Sequence, residues 1–214
     1  MNRIFCFLFT AMLCSAAEPT SKTNANLQKL LKRYPAADAN KDGVLTLTEA
    51  KAFQKLQRDR EANRPVLKPT QVDIAYGTHA RHKLDLWLVE RDGPAPLLIC
   101  IHGGGFRAGD KSSYRRQVNL IKRMHAAGIS VAAINYRYTE GGKNPLPGAM
   151  HDAARAVQFL RHNARRFNLD KTRFAATGGS AGACILMWLG FHDDLADPDS
   201  ADPVKRESTR LIAL

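Results

Sequence analysis

From residue 72 onward, apolar and polar positions follow two alternating periods. Short apolar or alternating runs predict strands at residues 72–76, 83–89, 97–101, 129–135 and 173–177. Longer amphipathic or apolar segments predict helices at residues 113–127, 150–167 and 181–191. Strands joined by helices of this length indicate an α/β fold with a mostly parallel sheet. Gly77 separates the first two strands, which are expected to form an antiparallel pair.

Three segments precede this α/β domain, which we assign to residues 71–214. Residues 26–60 are predicted to form a helix, an acidic loop and a second helix. Residues 61–70 contain Pro65 and Pro69 and are predicted to be a linker. Residues 1–17 have the features of a targeting segment.

This targeting segment has the three parts of a secretory signal peptide. Asn2 and Arg3 open it with positive charge, an apolar run covers residues 4–14, and small residues follow at 15–17. The run is too short to span a bilayer, which needs roughly 20 apolar residues. We therefore expect a cleaved signal and a secreted or periplasmic protein, with no membrane span.

Composition and charge add little about partners. The 214 residues carry a formal net charge of +12, but the basic side chains lie on predicted helices without interleaved aromatic residues, as at Arg155, Arg161, Arg165 and Arg166. This distribution favours a solvated helix face over nucleic-acid binding, so no nucleic-acid partner is expected.

Two cysteines, Cys100 and Cys184, lie outside the targeting segment. Both fall in apolar runs, which favours buried free thiols. A disulfide between them stays open as an alternative in an exported protein.

The segment Gly178-Gly179-Ser180-Ala181-Gly182 matches the G-x-S-x-G motif and lies between a predicted strand and a predicted helix. At so tight a turn, small neighbours relieve backbone clashes and the serine hydroxyl projects above the sheet, at the positive end of the helix. The alternative is a glycine-rich turn in which Ser180 only caps the helix. The motif makes Ser180 the candidate nucleophile.

A second glycine run, His102-Gly103-Gly104-Gly105-Phe106, follows the third predicted strand. Glycines let backbone N–H groups approach a ligand closely. Such a loop supplies oxyanion donors that complement the N–H of the residue after the nucleophile. A phosphate-binding loop fits poorly, because neither a Gly-Lys-Ser/Thr ending nor the G-x-G-x-x-G spacing is present.

With both motifs in place, the chain resembles the α/β-hydrolase superfamily, and most of all its hormone-sensitive-lipase-like and feruloyl-esterase-like carboxylesterases. The matching segments are residues 102–106 with Gly109-Asp110, Asn135-Tyr136-Arg137, the helix that contains Asp152, and residues 178–182. The resemblance runs from about residue 72 to the C-terminus. It implies an α/β-hydrolase fold, Ser180 as nucleophile, and Gly104, Gly105 and Ala181 as oxyanion donors. It also implies a structural role for His102, which holds the loop by hydrogen bonds.

The chain departs from this family after the nucleophile. In the family an acid and then a histidine follow the serine, whereas the last histidine here is His192, twelve positions after Ser180. The carboxylates that follow come too soon for a triad acid and predict a surface loop: Asp193, Asp194, Asp197, Asp199 and Asp202. We therefore expect the domain to be incomplete at its C-terminus, with the triad acid and histidine beyond residue 214. Alone, this polypeptide is expected to be nearly inactive, since serine is a weak nucleophile without a base.

An independent signal lies in residues 38–49, which match the twelve-position EF-hand loop. Ca²⁺ prefers six to eight oxygen ligands. The loop offers them from Asp38, Asn40, Asp42, the Val44 carbonyl, Thr46 or a water, and a bidentate Glu49. Gly43 allows the sharp turn, and Leu45 is expected to pack inward. The alternative is an acidic turn between two helices, and weak affinity is expected because EF-hands normally pair whereas this chain has one loop.

Two functions are compatible with these features. The first is a secreted serine carboxylic-ester hydrolase that acts through an acyl-enzyme on a small-molecule or carbohydrate-linked ester. It needs no cofactor for catalysis and carries a calcium-binding helix-loop-helix. The second is a non-catalytic secreted calcium-binding or adhesion protein with a vestigial hydrolase domain. An aspartate and then a histidine encoded after residue 214 would favour the first.

Overall fold

The computed structural model describes residues 18–214 and divides them into two compact units that meet between Arg64 and Pro65. This boundary falls inside the linker predicted from the sequence. The predicted signal peptide, residues 1–17, lies outside the described residues.

The smaller unit consists of two helices around the acidic loop. Helix α1 spans Ala25–Arg33, a 3₁₀ turn spans Pro35–Ala37, and helix α2 spans Leu47–Ala62. Each α-helix begins at a side-chain cap: Asn24 accepts from two amides of α1, and Thr46 forms a capping box with Glu49 in α2. Its small core is formed by Leu27, Ala37, Leu45 and Ala50.

The larger unit is built on a five-stranded sheet. In chain order the strands are β1 (Gln71–Ala75), β2 (Lys83–Trp87), β3 (Ala95–Ile101), β4 (Ser130–Ile134) and β5 (Leu169–Gly178). Their order in the sheet is β1-β2-β4-β3-β5. β2 is antiparallel to both β1 and β4, whereas β3 is parallel to β4 and β5. The predicted antiparallel pair at the start of the domain and the mostly parallel sheet are both present.

Helices cover both faces of this sheet. They are α3 (Val118–Ala126), α4 (Pro147–His162) and α5 (Ala181–Phe191). One set of alternating strand residues packs with α4 and α5, as Ile99 and Ile101 do, while the other set packs with α3, as Cys100 does beside Ile121. Burial on both faces explains why β3 and β4 are apolar without interruption.

Several element boundaries differ from the predicted ones for local reasons. Helix α4 begins at Pro147, three residues before the predicted start, because proline is well suited to the first turn of a helix. Strand β3 includes Pro96, which an irregularity in the pairing of β3 with β5 accommodates. The predicted helix at 113–127 is divided into a 3₁₀ segment, Lys111–Arg116, and α3.

The alternation of apolar and polar residues in β2 suggests that its polar side faces solvent, but the structure buries that side. Asp85 and Trp87 are as buried as the leucines between which they stand. The Asp85 carboxylate accepts from Lys111 Nζ at 2.6 Å and from two guanidinium nitrogens of Arg115 at 3.0 and 2.7 Å. Lys111 also pairs with Asp73 at 2.6 Å. A buried ion cluster therefore joins the 3₁₀ segment to the sheet.

The expectation that the arginines of α4 and the following turn form a solvated face is wrong for two of the four. Arg161 is buried, and its guanidinium donates to the carbonyls of Lys171, Ser208 and Arg210. Arg155 donates to Asp202 at 2.7 Å. Both residues bind the segment after α5, whereas Arg165 and Arg166 are exposed as expected.

Three smaller expectations can be compared with the structure. Cys100 and Cys184 are both free thiols, but only Cys100 is buried, so burial was correctly expected for one of the two. The end of the described chain pairs in parallel with β5 through Ala175 and Ala213. Among residues 18–214, no helix has the length and apolar character that a membrane span needs.

The buried ion cluster gives a test of the larger unit's stability. Lys111→Met removes one of the two cations that pair with the fully buried Asp85, and the excess negative charge left beside Arg115 should lower the free energy of unfolding by about 3 kcal/mol. Lys122→Met, at an exposed position of α3, should change it by less than about 0.5 kcal/mol. Urea denaturation followed by tryptophan fluorescence measures this, because both tryptophans, Trp87 and Trp188, lie in the larger unit. Equal free energies of unfolding for the two variants would contradict a stabilising role for Lys111 in the buried ion cluster.

Candidate active site and calcium-binding loop

Ser180 stands at a strained turn between β5 and α5. Its backbone has φ 55° and ψ −121°, a conformation that non-glycine residues rarely adopt and that costs on the order of 1–3 kcal/mol. The residue is exposed, and its side chain makes no capping hydrogen bond to α5. The alternative in which Ser180 serves only as a helix cap is therefore not what the structure shows.

The first and last glycines of the motif are required because the turn lies in close contact with the end of β3. A Cβ added at Gly178 would lie 2.7 Å from the carbonyl oxygen of Ile101, and one at Gly182 only 2.2 Å from the same atom. By contrast, a Cβ at Gly179 would have no neighbour within 4 Å. The turn can thus approach β3 only with glycine at the first and last motif positions.

The second glycine run lies beside the nucleophile. A Cβ at Gly103 would be 3.3 Å from Ser180 Cβ and 2.8 Å from the carbonyl oxygen of Gly179. Gly104 and Gly105 have φ of 121° and 59°, in the region that favours glycine. None of the hydrogen bonds recorded within residues 18–214 uses the N–H of Gly104, Gly105 or Ala181. These three donors, which the sequence predicted for an oxyanion, remain free to bind one.

His102 is a support of this loop. Its ring is buried, stacks on Tyr136 at 4.4 Å between centroids, and donates from Nδ1 to the Gly103 carbonyl at 2.7 Å. Burial lowers the pKa of His102, an effect that the hydrogen bond to Gly103 opposes. The ring is therefore neutral at pH 7, in agreement with the structural role implied by the resemblance.

Arg81, in the turn between β1 and β2, supports the loop from outside and was not singled out in the sequence. Its guanidinium donates to the carbonyls of Tyr136 at 2.8 Å and Gly109 at 3.2 Å, and lies 3.7 Å from the centre of the Tyr138 ring. The Tyr138 hydroxyl donates to the same Gly109 carbonyl. No local motif identifies Arg81, because the contacts of its side chain are with distant parts of the chain.

Other polar residues of the resemblance also have anchoring roles. Asn135 donates to Asp110 at 2.7 Å and accepts from the Lys111 amide at 2.7 Å, which fixes the end of the glycine loop. Asp152 receives the Arg137 guanidinium in two bonds at 2.7 and 2.9 Å. These contacts hold the chain after β4 against the site and against α4.

The residues after Ser180 contribute no base to it. His192 ends α5, about 18 Å along the helix axis from Ser180 at 1.5 Å per residue, and its ring lies tilted against Trp188, 4.2 Å between centroids. Asp194 accepts from the amide and hydroxyl of Thr209, and Asp202 from Arg155. The structure thus agrees with the sequence in leaving these groups out of the catalytic set.

A cavity of about 380 Å³ adjoins the glycine loop. It is lined on one side by Gly105, Phe106 and Arg107, and on the other by residues of the segment 139–146, among them Leu146. The carbonyl of Phe106 accepts from the Thr139 amide at 2.9 Å, which ties the two walls together. The cavity offers a small, partly apolar space beside the donors.

In the smaller unit, the acidic loop is closed by its own side chains. Asp38 Oδ2 accepts from the Gly43 amide at 2.9 Å, and Asp42 Oδ1 from the Val44 amide at 2.8 Å. Gly43 has φ 79°, the left-handed turn that its position requires. Leu45 is fully buried, as expected.

Two oxygens of this loop bear on metal binding. Asp38 Oδ1 is buried and has no hydrogen-bond partner within residues 18–214. The Glu49 carboxylate is held by the Thr46 amide at 3.0 Å and hydroxyl at 2.8 Å. These contacts, followed by weaker ones to the amides of Asn40 and Ala39, lower the pKa of Glu49. Among the described residues, no three His, Cys, Asp or Glu side chains are already grouped around one point as metal ligands.

The larger unit is similar in sequence to known esterases. The BD-FAE family model matches residues 84–210, more than half of the chain. Esterase LipI of Mycobacterium tuberculosis (strain ATCC 25618 / H37Rv) is 32% identical over 91 residues, which are 42% of this chain and 27% of that protein. The versiconal hemiacetal acetate esterase of Dothistroma septosporum is 26% identical over 148 residues, 68% of this chain and 44% of that protein. The chain spans less than half the length of these relatives.

Solved structures show the same similarity. An acetyl ester-xyloside bifunctional hydrolase from Caldicellulosiruptor lactoaceticus has 25% sequence identity and a TM-score of 0.56, over 68% of this chain and 56% of that one. The propionate-bound esterase Est2 of Thermogutta terrifontis has 21% identity and a TM-score of 0.54, over 67% and 52% of the two chains. The second match supports the fold alone. Together they confirm the α/β-hydrolase fold predicted from the two motifs.

The contact between the β5–α5 turn and β3 predicts that substitution of two nearby glycines changes the free energy of unfolding by different amounts. Gly182→Ala should lower the free energy of unfolding by about 1–3 kcal/mol, because the clash with the Ile101 carbonyl outweighs the better helix propensity of alanine. Gly179→Ala, which meets open space, should change it by less than about 0.5 kcal/mol. Urea denaturation of the two variants provides the measurement. A Gly182→Ala protein as stable as Gly179→Ala would show that the close approach is not present.

Proposed function

The chain belongs to the BD-FAE family, and from that premise we propose that it is a serine carboxylic-ester hydrolase that acts through an acyl-enzyme on Ser180. One observation carries this proposal: an exposed hydroxyl at a strained strand-to-helix turn, directly beside a glycine loop. A turn with no catalytic task has no need to hold serine at positive φ, since strain of this kind is concentrated at functional sites.

The chemistry follows from the positions of these groups. Ser180 Oγ attacks the carbonyl carbon of the ester, its proton passes to a base, and the carbonyl oxygen becomes an oxyanion. The N–H groups of Gly104, Gly105 and Ala181 stabilise that charge, which is often the largest single contribution to such catalysis. Collapse of the tetrahedral intermediate releases the alcohol with a proton and leaves Ser180 acylated. Water then attacks the acyl group, which releases the acid and restores the hydroxyl.

Neither His102 nor His192 is placed to act as the base. His102 is occupied by Gly103 and Tyr136, and His192 lies at the far end of α5. In enzymes of this fold the acid and the histidine follow the serine in the chain. We therefore assign both to protein sequence outside residues 1–214, and expect these residues alone to react slowly.

A small acyl ester is the substrate class that the site favours. The cavity beside Gly105 and Phe106 has a volume of about 380 Å³, near the lower end of ordinary ligand sites. Two of the similar proteins are named for acetate or acetyl esters, and one of these is also named for a xyloside. We propose short-chain esters of small molecules or carbohydrates.

Ser180→Ala tests the nucleophile. With protein produced from its complete reading frame, hydrolysis of p-nitrophenyl acetate should fall by about 10³-fold or more, because the acyl-enzyme can no longer form. Ser200→Ala, in the segment after α5, serves as the matched control and should retain activity. Mass spectrometry should also find the acetyl group on the peptide that contains Ser180. Equal turnover by the Ser180→Ala and unaltered proteins would refute the nucleophile, and no turnover above background by either protein would favour a non-catalytic protein.

We propose in addition that residues 38–49 bind Ca²⁺. The ligands would be Asp38, Asn40, Asp42, the Val44 carbonyl, Thr46 or a water, and Glu49, an all-oxygen set that suits a hard cation. The residues fit the ion, because the Asp38 oxygen without a partner is buried and Gly43 already makes the sharp turn. Bound calcium would supply rigidity to the helix-loop-helix and takes no part in ester hydrolysis.

A calcium titration followed by the amide resonance of Gly43 tests this site. The expected dissociation constant is about 10⁻⁴–10⁻³ M, as in extracellular modules. Glu49→Gln should weaken binding at least about tenfold, since it removes a charged bidentate ligand. Glu61→Gln removes the same charge in the last turn of α2 and should leave the affinity unchanged. Calcium-independent spectra, or equal binding by both variants, would contradict the assignment.

We also propose that the protein is exported. This rests on the sequence of residues 1–17 alone, with its charged start, short apolar run and small residues before Glu18. An extracellular or periplasmic location is compatible with a weak calcium site, since such sites occur in extracellular modules.

A further inference from the structure

Residues 18–21 run along the end of the acidic loop and bond to it at each step. The Ser21 amide donates to the Leu45 carbonyl at 2.7 Å, and the Leu45 amide donates to Ser21 Oγ at 2.9 Å. Thr20 forms an antiparallel bridge with Thr46. Two further bonds continue this contact: Leu47 N to the Pro19 carbonyl at 3.0 Å and Thr48 N to Glu18 Oε1 at 2.5 Å.

These bonds occupy the free edge of the loop. Leu45 lies between two proposed calcium ligands, and its N–H and C=O would otherwise be unpaired edge groups, open to a second copy of the loop. Ser21 uses its own N–H for the carbonyl and its hydroxyl oxygen for the amide. A single residue therefore satisfies both groups, and Ser21 and Leu45 are both buried.

The bond to Ser21 Oγ also orients a calcium ligand. The N–H of Leu45 and the C=O of Val44 belong to one peptide group, which is planar and trans, so they point in opposite directions. Fixing the N–H on Ser21 Oγ turns the Val44 carbonyl away from residues 18–21. Val44 stands at the position of the EF-hand loop that supplies a backbone carbonyl to the ion.

The cation has independent support on the other side of the loop. Asp38 is about nine-tenths buried, with an exposed fraction of 8%, and its Oδ1 has no hydrogen-bond partner among the described residues. Burial of a carboxylate oxygen without a partner is costly unless a cation neutralises it. The orphan oxygen and the oriented carbonyl thus belong to the same twelve-residue loop.

We propose that Ser21 is a positioning residue for the Val44 carbonyl, and that residues 18–21 complete the calcium loop in place of a second EF-hand. The proposal rests on the calcium binding proposed for residues 38–49 and adds an intramolecular partner for that site. Calcium then binds to the monomer, and binding stabilises the segment 18–21 on the loop.

The test compares calcium affinities measured from the amide resonances of Gly43 and Leu45 in the full chain. Ser21→Ala removes the acceptor for the Leu45 amide and should weaken calcium binding about 3- to 10-fold, the range expected for one buried hydrogen bond. Ser21→Thr keeps the hydroxyl and should bind within about twofold of the unaltered protein. Gln28→Ala, at an exposed position of α1, is the matched control and should have no effect.

The outcomes separate this proposal from the one on which it rests. If the unaltered protein shows no calcium-dependent shifts, the calcium site itself is refuted. If it binds calcium and Ser21→Ala binds equally well, only the positioning role is refuted. Equal weakening by Ser21→Thr and Ser21→Ala, with a lower melting temperature before calcium is added, would mean that Ser21 is merely structural. Sedimentation should find a monomer with and without calcium, and a calcium-induced dimer would overturn the intramolecular partner.

Discussion

The close approach of the β5–α5 turn to the end of β3 is the constraint on which the site depends. Both outer glycines of the motif face the same atom, the carbonyl oxygen of Ile101. Because β3 continues directly into His102 and the glycine loop, this one contact sets the nucleophile and the oxyanion donors against each other. The backbone strain of this turn lies at Ser180, whose φ is positive and whose exposed side chain does not cap α5.

The other end of the glycine loop is held by charged side chains. Lys111, directly after the loop, is buried against Asp85 of β2, while Arg81 bonds to the Gly109 carbonyl from the β1–β2 turn. Buried charges of this kind contribute little net stability, but removal of one partner is expensive. We infer that their role is to give the loop one position, so that its free N–H groups are already oriented when charge develops on a substrate.

The smaller unit is organised separately, around the loop of polar residues for which we propose calcium binding. Its side chains already bond to the loop's own amides, as Asp38 does to Gly43 and Asp42 to Val44. Ser21 likewise bonds to both backbone groups of Leu45. We propose that it thereby orients the Val44 carbonyl, which belongs to the same peptide group as the Leu45 N–H. Calcium binding and ester hydrolysis are thus assigned to different units, each with its own core.

The sequence by itself determined the features that depend on residues close together in the chain. The strand-to-helix turn at Ser180, the glycine loop, the turn at Gly43 and the existence of nearly every strand and helix follow from residues within one segment, since local backbone geometry depends on near neighbours. The tertiary structure alone decided which distant groups meet. Asp85 alternates as a surface residue would, yet the order β1-β2-β4-β3-β5 places it beneath Lys111 and Arg115. In the sequence Arg161 resembles a solvated helix residue, but in the structure the segment after α5 covers it. Ser21 bonds to Leu45, which lies 24 positions further along the chain. A buried polar group takes the partner that the packing of distant segments brings to it, and no local pattern records that choice.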